Sequence, residues 1–420
     1  MNTVPRTQPL PAPDQTPIAQ RYQQVRDLTV ELCGTLTPED MTVQSMPDAS
    51  PAKWHLAHSS WFFENFLLTP HFKDYRPFDP QFNYLFNSYY YSVGSMYPRP
   101  VRGLLSRPGV EKIKSYRAHV DKHMHRLLET CSFEAELIYL TILGLNHEQQ
   151  HQELLLMDIK HLFSRNPLKP AWRELPIPAN TAASPLKFIS RPEGLLAIGH
   201  AGSGFAFDNE TPRHRVFIQA HSVANRLTTN GEYREFIRAG GYSTPELWLS
   251  DGWATVQREG WNRPLYWNED KTLEFTLAGE RELNLDTPVC HLSYYEADAF
   301  ARWTGARLPT EMEWEYLATD EPVAGNLLES GEFHPRAAAG ASQLFGDVWE
   351  WTVSSYAPYP GFKPLAGSLG EYNGKFMINQ MVVRGGCCVT PRDHVRASYR
   401  NFFYPQQRWQ FAGLRLARNA

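Results

Sequence analysis

The chain has 420 residues, 42% hydrophobic and 20% charged, which is ordinary globular material and enough for two domains. A formal net charge of −4 gives no electrostatic reason to bind nucleic acid or an anionic membrane, and no apolar run approaches the roughly 18 residues that span a bilayer. The five cysteines (Cys33, Cys131, Cys290, Cys387, Cys388) are scattered and odd in number, and the polar, proline-rich N-terminus lacks a signal pattern, so reduced thiols in a cytoplasmic protein are expected.

The first 165 residues read as helical. Ile18 to Leu36 carries Tyr22, Val25, Leu28 and Leu32 at helical spacing. Ser50-Pro51 predicts an N-cap followed by proline at the first helical position, opening a helix that runs to about Leu68. A third helix is expected from Val110 to Glu129, with Ile113, Tyr116, Val120, Met124 and Leu127 on one face, and a fourth, leucine-rich, from Phe133 to Phe163. Four amphipathic helices of this size predict a bundle. Between the second and third runs a long aromatic loop, Pro70 to Pro108, which contains Tyr89-Tyr90-Tyr91; a loop of that length in a compact domain usually serves or covers a site. Pro167, Pro170, Pro176, Pro178 and Pro185 then mark a linker over 166–185. From 186 to 420 only Tyr294 to Thr304 and Thr310 to Ala318 keep helical periodicity. The rest reads as short strands, glycine turns and Trp-containing loops, an α+β domain.

His147-Glu148-Gln149-Gln150-His151 lies within the fourth helix, and residues four apart share a helical face, so both imidazoles can reach one metal. Trp54-His55-Leu56-Ala57-His58 brings further histidines on the second helix, which a bundle can converge on the same point. Three neutral imidazoles leave open coordination positions, a donor set for Fe(II), Zn or Cu. The same residues match the H-E-x-x-H zinc-protease pattern, but Leu154 and Met157 stand where its extended form needs Gly and His. Glu148-x-x-His151 also matches half of a di-iron carboxylate site, with no second Glu-x-x-His in the bundle.

The second half carries four ordered blocks. Pro288-Val-Cys-His-Leu-Ser-Tyr-Tyr-Glu-Ala-Asp-Ala-Phe-Ala-Arg-Trp leads into Gly305-Ala-Arg-Leu-Pro-Thr-Glu-Met-Glu-Trp-Glu-Tyr-Leu-Ala; Gly346-Asp-Val-Trp-Glu-Trp, Arg384-Gly-Gly and Phe411-Ala-Gly-Leu-Arg follow. Together they resemble the formylglycine-generating-enzyme (sulfatase-modifying) family, which implies a C-type-lectin-like fold from about residue 186 to the end. In these blocks Trp303, Trp314, Trp349 and Trp351 read as core, and Asp347 and Arg384 as buried polar pins. Cys387 and Cys388 follow Arg384-Gly-Gly too early to be that family's copper-binding pair, so formylglycine generation is not implied.

A DinB-like bundle with W-H-L-A-H and H-x-x-x-H-x-E, fused to such a domain, resembles the ergothioneine-biosynthesis sulfoxide synthases along nearly the whole chain. That resemblance implies Fe(II) held by His58, His147 and His151, supported by Glu153, and O2-dependent coupling of cysteine or γ-glutamylcysteine to hercynine. It implies Arg99 and Arg102 for the thiol substrate's carboxylate, Gln150 against the bound imidazole, and Asn401, Phe402 and Phe403 around the trimethylammonium, which is attracted to aromatic faces. Members that take γ-glutamylcysteine carry an acidic residue where this chain has Phe403, so free cysteine is the better expectation. The family's catalytic tyrosine, from the lectin-like domain, has no recognisable counterpart, and Tyr90, then Tyr89, is the expected substitute as proton donor. Two alternatives remain: a zinc-dependent DinB-like thiol transferase, and an ovothiol-type synthase, which usually carries a methyltransferase domain and is less expected here because these residues hold no glycine-rich nucleotide loop.

Overall fold

The computed structural model describes residues 17–131, 135–176, 181–202, 204–338, 340 and 342–420. The proline-rich N-terminus, the predicted helix start at Phe133 and linker residues 177–180 lie outside them. Long helices run over Ile18–Leu32, Ala52–Phe63, Val110–Cys131 and Ala135–Arg165. The first stops short of Leu36, because Cys33 and Gly34 close it with tight turns onto Val30 and Glu31. The second is buried along its whole length, Ala52 through Phe63, its polar Lys53, His55, His58, Ser59 and Ser60 included. Its start departs from expectation. Pro51 is the cap residue, with no side-chain cap bond, and the Ser50 hydroxyl instead accepts from Arg102 Nη1 at 2.9 Å. The helix continues to Leu68 as a π-helical turn, Glu64–Leu68. Inside the long loop, Phe82–Phe86 is helical and Arg99–Leu104 forms a 3-10 stretch.

Within the proline-rich stretch, Trp172 is anchored: its backbone donates to the Leu277 carbonyl at 2.8 Å and its indole to the Leu32 carbonyl at 3.0 Å. The second half is α+β. Its four-stranded sheet has the order Asn401–Phe403, Met381–Arg384, Trp349–Ser355, Ala412–Gly413, antiparallel except for the last, parallel pair. A three-stranded sheet pairs Phe188–Arg191 and Ala417–Asn419 on either side of His221–Ala224, closing the beginning of the domain onto its end. The expected helices appear as Tyr294–Trp303 and Glu311–Ala318, each opened by a capping box, Ser293 with Glu296 and Thr310 with Glu313. Two more helices, Asn230–Arg238 and Ser250–Glu259, were not anticipated; the first is set by a capping box of Thr229 and Glu232.

Trp314, Trp349, Trp351, Asp347 and Arg384 are buried as expected, but Trp303 is 37% exposed, because it ends its helix at the surface. Arg384 is neutralised by Glu315 at 2.5 Å. Cys33, Cys290, Cys387 and Cys388 are buried free thiols. Among the described residues no helix is long and apolar enough to cross a membrane.

The helix Ala135–Arg165 is the wall that both halves share. Glu153 accepts from Trp349 Nε1 at 2.7 Å and from Thr390 Oγ1 at 2.6 Å. Asp158 accepts from Trp409 Nε1 at 3.1 Å, and Asn146 Oδ1 meets His394 Nδ1 at 3.0 Å.

Candidate active site

Helical spacing brings His147 and His151 onto the buried face of the shared helix, where His58 meets them from the helix Ala52–Phe63. Their ring centroids lie 4.6–4.9 Å apart, and one nitrogen from each falls within 4.8 Å of the others. No other group of three or more such donors stands out among the described residues. All three are buried, and burial is the largest cause pushing each imidazole towards its neutral form, His147 down to about 3. Neutral imidazole is the form that binds a metal. His58 Nδ1 faces the Phe86 carbonyl at 2.6 Å and donates to it, leaving Nε2 bare; that Nε2 stands 3.2 Å from His147 Nε2. Two buried imidazole nitrogens turned towards each other, with a third ring beside them, fit a divalent transition metal.

Glu148 does not join them. It lies on the other side of the helix, clamped by Arg26 at 2.9 Å, Arg117 at 2.5 Å and the Thr29 hydroxyl at 2.6 Å. Burial alone would raise its pKa, but Arg117 and Arg26 hold the carboxyl down at about 2. A carboxylate so placed cannot serve as the general base that the H-E-x-x-H reading requires. His55 is not grouped with the three ligand candidates either: it sits between His151 and Asp158, at 2.9 and 3.0 Å. Glu153 is buried rather than solvated, and burial lifts its carboxyl to about 7 against the two donors from the second domain.

A cavity of about 330 Å³ opens beside His147 and His151. That volume is the size of a small-ligand site. The helical domain contributes Trp54, Tyr89, Arg99, Arg102 and Gln150 to its lining. The second domain contributes Tyr372, Phe376, Asn401, Phe402 and Phe403. Arg102 is 2% exposed, lies 3.4 Å from the Trp54 ring centroid, and keeps Nε and Nη2 without hydrogen-bond partners. Arg99 is exposed and donates to the Asp48 carbonyl. Gln150 Nε2 donates to Tyr399 Oη at 2.7 Å, while its carbonyl accepts from the Tyr372 hydroxyl.

Phe402 stacks on Tyr356 at 3.9 Å, with Phe376 at 6.1 Å, so three rings gather on one side. Phe403 points the other way along its strand, packing edge-on against Trp351 and Trp409. The Asn401 side-chain Oδ1 accepts from the Phe402 backbone N–H at 2.8 Å. Tyr89 lines the cavity; Tyr90 stacks behind it at 4.7 Å and is fully buried. Sequence reasoning missed Tyr372, whose ring lies 5.7 Å from that of His147, because its loop has no strand or helix period. It also missed Asp158, although a spacing of seven from His151 on one helix was a usable signal.

Residues 21–162 match the DinB superfamily, and residues 176–327 and 323–420 match the sulfatase-modifying factor enzyme 1-like domain. The chain is 33% identical over 407 residues to the hercynine oxygenase of Mycolicibacterium smegmatis, covering 89% of this chain and 92% of that protein. It belongs to the hercynine oxygenase family. The hercynine oxygenase of Mycolicibacterium thermoresistibile is 30% identical over 435 residues, covering 96% and 95% of the two chains. Ergothioneine biosynthesis protein 1 of Schizosaccharomyces pombe is 25% identical over 347 residues, covering 73% of this chain and 42% of that protein. The hercynine oxygenase match spans both domains and therefore both walls of the cavity.

Proposed function

We propose that this chain is an iron-dependent hercynine oxygenase that joins the sulfur of cysteine, or of γ-glutamylcysteine, to the imidazole of hercynine. The thiol S–H and one imidazole C–H are lost, a C–S bond forms, one atom of O2 becomes the sulfoxide oxygen and the other leaves as water. The two substrates supply all four electrons, so no external reductant is consumed. On this reading the DinB-like part is a four-helix bundle over residues 1–165, 166–185 is the linker, and 186–420 is a C-type-lectin-like domain, all in a cytoplasmic protein.

The observation that carries this reading is the Arg102 guanidinium, buried beside the three histidines with two donor nitrogens unpartnered. A buried cation with open N–H groups wants a carboxylate, and a thiol amino acid supplies one within reach of the metal site. Arg99, at the exposed end of the same cavity, draws that carboxylate in. Opposite, Phe402 with Phe376 and Tyr356 offers aromatic faces to a trimethylammonium group, which has no N–H to donate. Asn401 orients the betaine, Phe403 lines the cavity from the opposite face of the strand, and Gln150 borders the imidazole. Iron held by His58, His147 and His151 would supply O2 activation and open positions for sulfur and imidazole. Tyr89 faces the cavity with its phenol kept protonated by burial, and so can donate a proton there; Tyr90 supports it from behind. Tyr372 already commits its proton to Gln150.

The test is anaerobic loading with Fe(II), addition of hercynine with cysteine or γ-glutamylcysteine, admission of O2, and mass spectrometry of the products. A sulfoxide-linked conjugate, absent in His58→Ala and His151→Ala, is the expected result. If iron stays bound, O2 is untouched and neither thiol gives a conjugate, the oxidative reading fails and the zinc-dependent thiol transferase replaces it.

A further inference from the structure

Asp158, His55 and His151 form a hydrogen-bonded line that ends at the metal-site histidines. Asp158 Oδ2 meets His55 Nε2 at 3.0 Å, and His55 Nδ1 meets His151 Nδ1 at 2.9 Å; the three side chains are 5%, 2% and 8% exposed. The carboxylate is fixed from two further sides, by the Ser50 backbone N–H at 2.8 Å and by Trp409 Nε1 at 3.1 Å. Its polarity therefore sets the polarity of the whole line. A carboxylate only accepts, so His55 Nε2 must carry the proton between them. A neutral imidazole has one N–H, which leaves His55 Nδ1 as an acceptor. His151 Nδ1 must then donate, and its remaining nitrogen, Nε2, keeps a free lone pair. The reverse arrangement would press two acceptors together at Asp158.

We propose that Asp158 and His55 are positioning residues that lock His151 in the tautomer with Nδ1 protonated and Nε2 available to the metal. This rests on the reading of His151 as a metal ligand. The three histidines are backed differently. His58 leans on the Phe86 carbonyl at 2.6 Å, His147 Nδ1 has no partner, and His151 alone is backed through a second imidazole by a carboxylate. Such backing orients a ligand ring and raises its basicity. Because Trp409 also lines the cavity, the line ties the orientation of one ligand to the seating of the second domain.

The test uses the full-length protein and Co(II), followed by calorimetric titration and by the visible ligand-field bands, with the melting temperature of the metal-free protein as a folding control. His55→Leu, which removes the acceptor, is expected to weaken Co(II) binding by about 10- to 100-fold and to shift the bands. His55→Gln, whose amide accepts at one end and donates at the other, is expected to restore affinity to within a few-fold. If His55→Leu binds Co(II) with wild-type affinity and spectrum, or His55→Gln is as weak as His55→Leu, the relay is wrong. Should His55→Leu fail to fold, long-range 1H–15N spectra of the zinc-loaded wild type read the tautomer directly. A proton on Nδ1 of His151 supports the relay, and a proton on Nε2 overturns it. If the wild type takes up no metal at all, the three-histidine reading itself falls.

Discussion

The Arg102 guanidinium lies over the Trp54 indole, 3.4 Å from its centroid, and its one hydrogen bond among the described residues is to Ser50 Oγ at 2.9 Å. The indole face offsets part of the desolvation of the cation but satisfies none of its N–H groups. Arg102→Met, which keeps the length and removes the donors, is expected to raise KM for the thiol substrate by about 10- to 100-fold. KM for hercynine should stay within a few-fold. Steady-state O2 consumption with each substrate varied in turn measures both, and an unchanged thiol KM would show that the carboxylate docks elsewhere.

Phe402 is the ring that both Tyr356 and Phe376 approach. Phe402→Leu keeps an apolar wall but removes the π face, and a cation–π contact contributes about 0.5–2 kcal/mol. KM for hercynine should rise by about 2- to 30-fold while thiol KM holds. Phe403→Leu, further from that cluster, should act mainly on stability. Equal effects of the two on hercynine KM would count against the assignment.

Tyr89 and Tyr90 are adjacent and stacked, yet only Tyr89 lines the cavity. Tyr89→Phe is expected to divert product from the sulfoxide conjugate towards the simple sulfinate of the thiol, as loss of a proton donor should. Tyr90→Phe removes a buried hydroxyl that does not line the cavity and should change that partition far less. Quantifying both products by mass spectrometry decides between them, and a larger shift for Tyr90→Phe would restore the order expected from sequence.

Asp347 adopts φ +59 and is buried; burial lifts its carboxyl to about 6 against the pull of the Arg336 backbone N–H and the Asn326 amide. Its folded pKa exceeds the unfolded value of about 3.9, so folding holds the proton more tightly. That stabilisation is complete below the unfolded pKa and is lost as pH rises through 6, a loss on the order of 3 kcal/mol. Asp347→Asn does not titrate and tolerates a positive φ. Melting curves of variant and wild type should move apart in the variant's favour from pH 4 to 7. A constant difference over that range would refute the shift.

The clustering of the histidines was readable in the sequence because helical spacing is local: His147 and His151 share a face whatever surrounds them. The resemblance chose His58 over His55, and the structure gives His55 a different place, bridging His151 and Asp158. Tyr372 and Trp409 were not readable, since each reaches the cavity from irregular loops placed only by tertiary packing. The ranking of Tyr90 over Tyr89 turned on which of two adjacent rings faces inward, which no periodicity specifies within a loop. Trp303 packs one face on Phe236 and Phe300 but ends its helix at the surface, which helical periodicity alone does not reveal.

The bonds from Glu153 to Trp349 and Thr390 cross from the helix of the histidines to the sheet domain of the aromatic wall. The three-histidine cluster thus stands on one side of a seam and the rings of Phe402, Phe376 and Tyr356 on the other. A relative's second domain grafted onto these helices would change which molecules are accepted while leaving the histidines untouched, provided the seam residues travel with it. Because one hydrophobic core also runs through both halves, a slip along the seam would disturb the packing on either side of it.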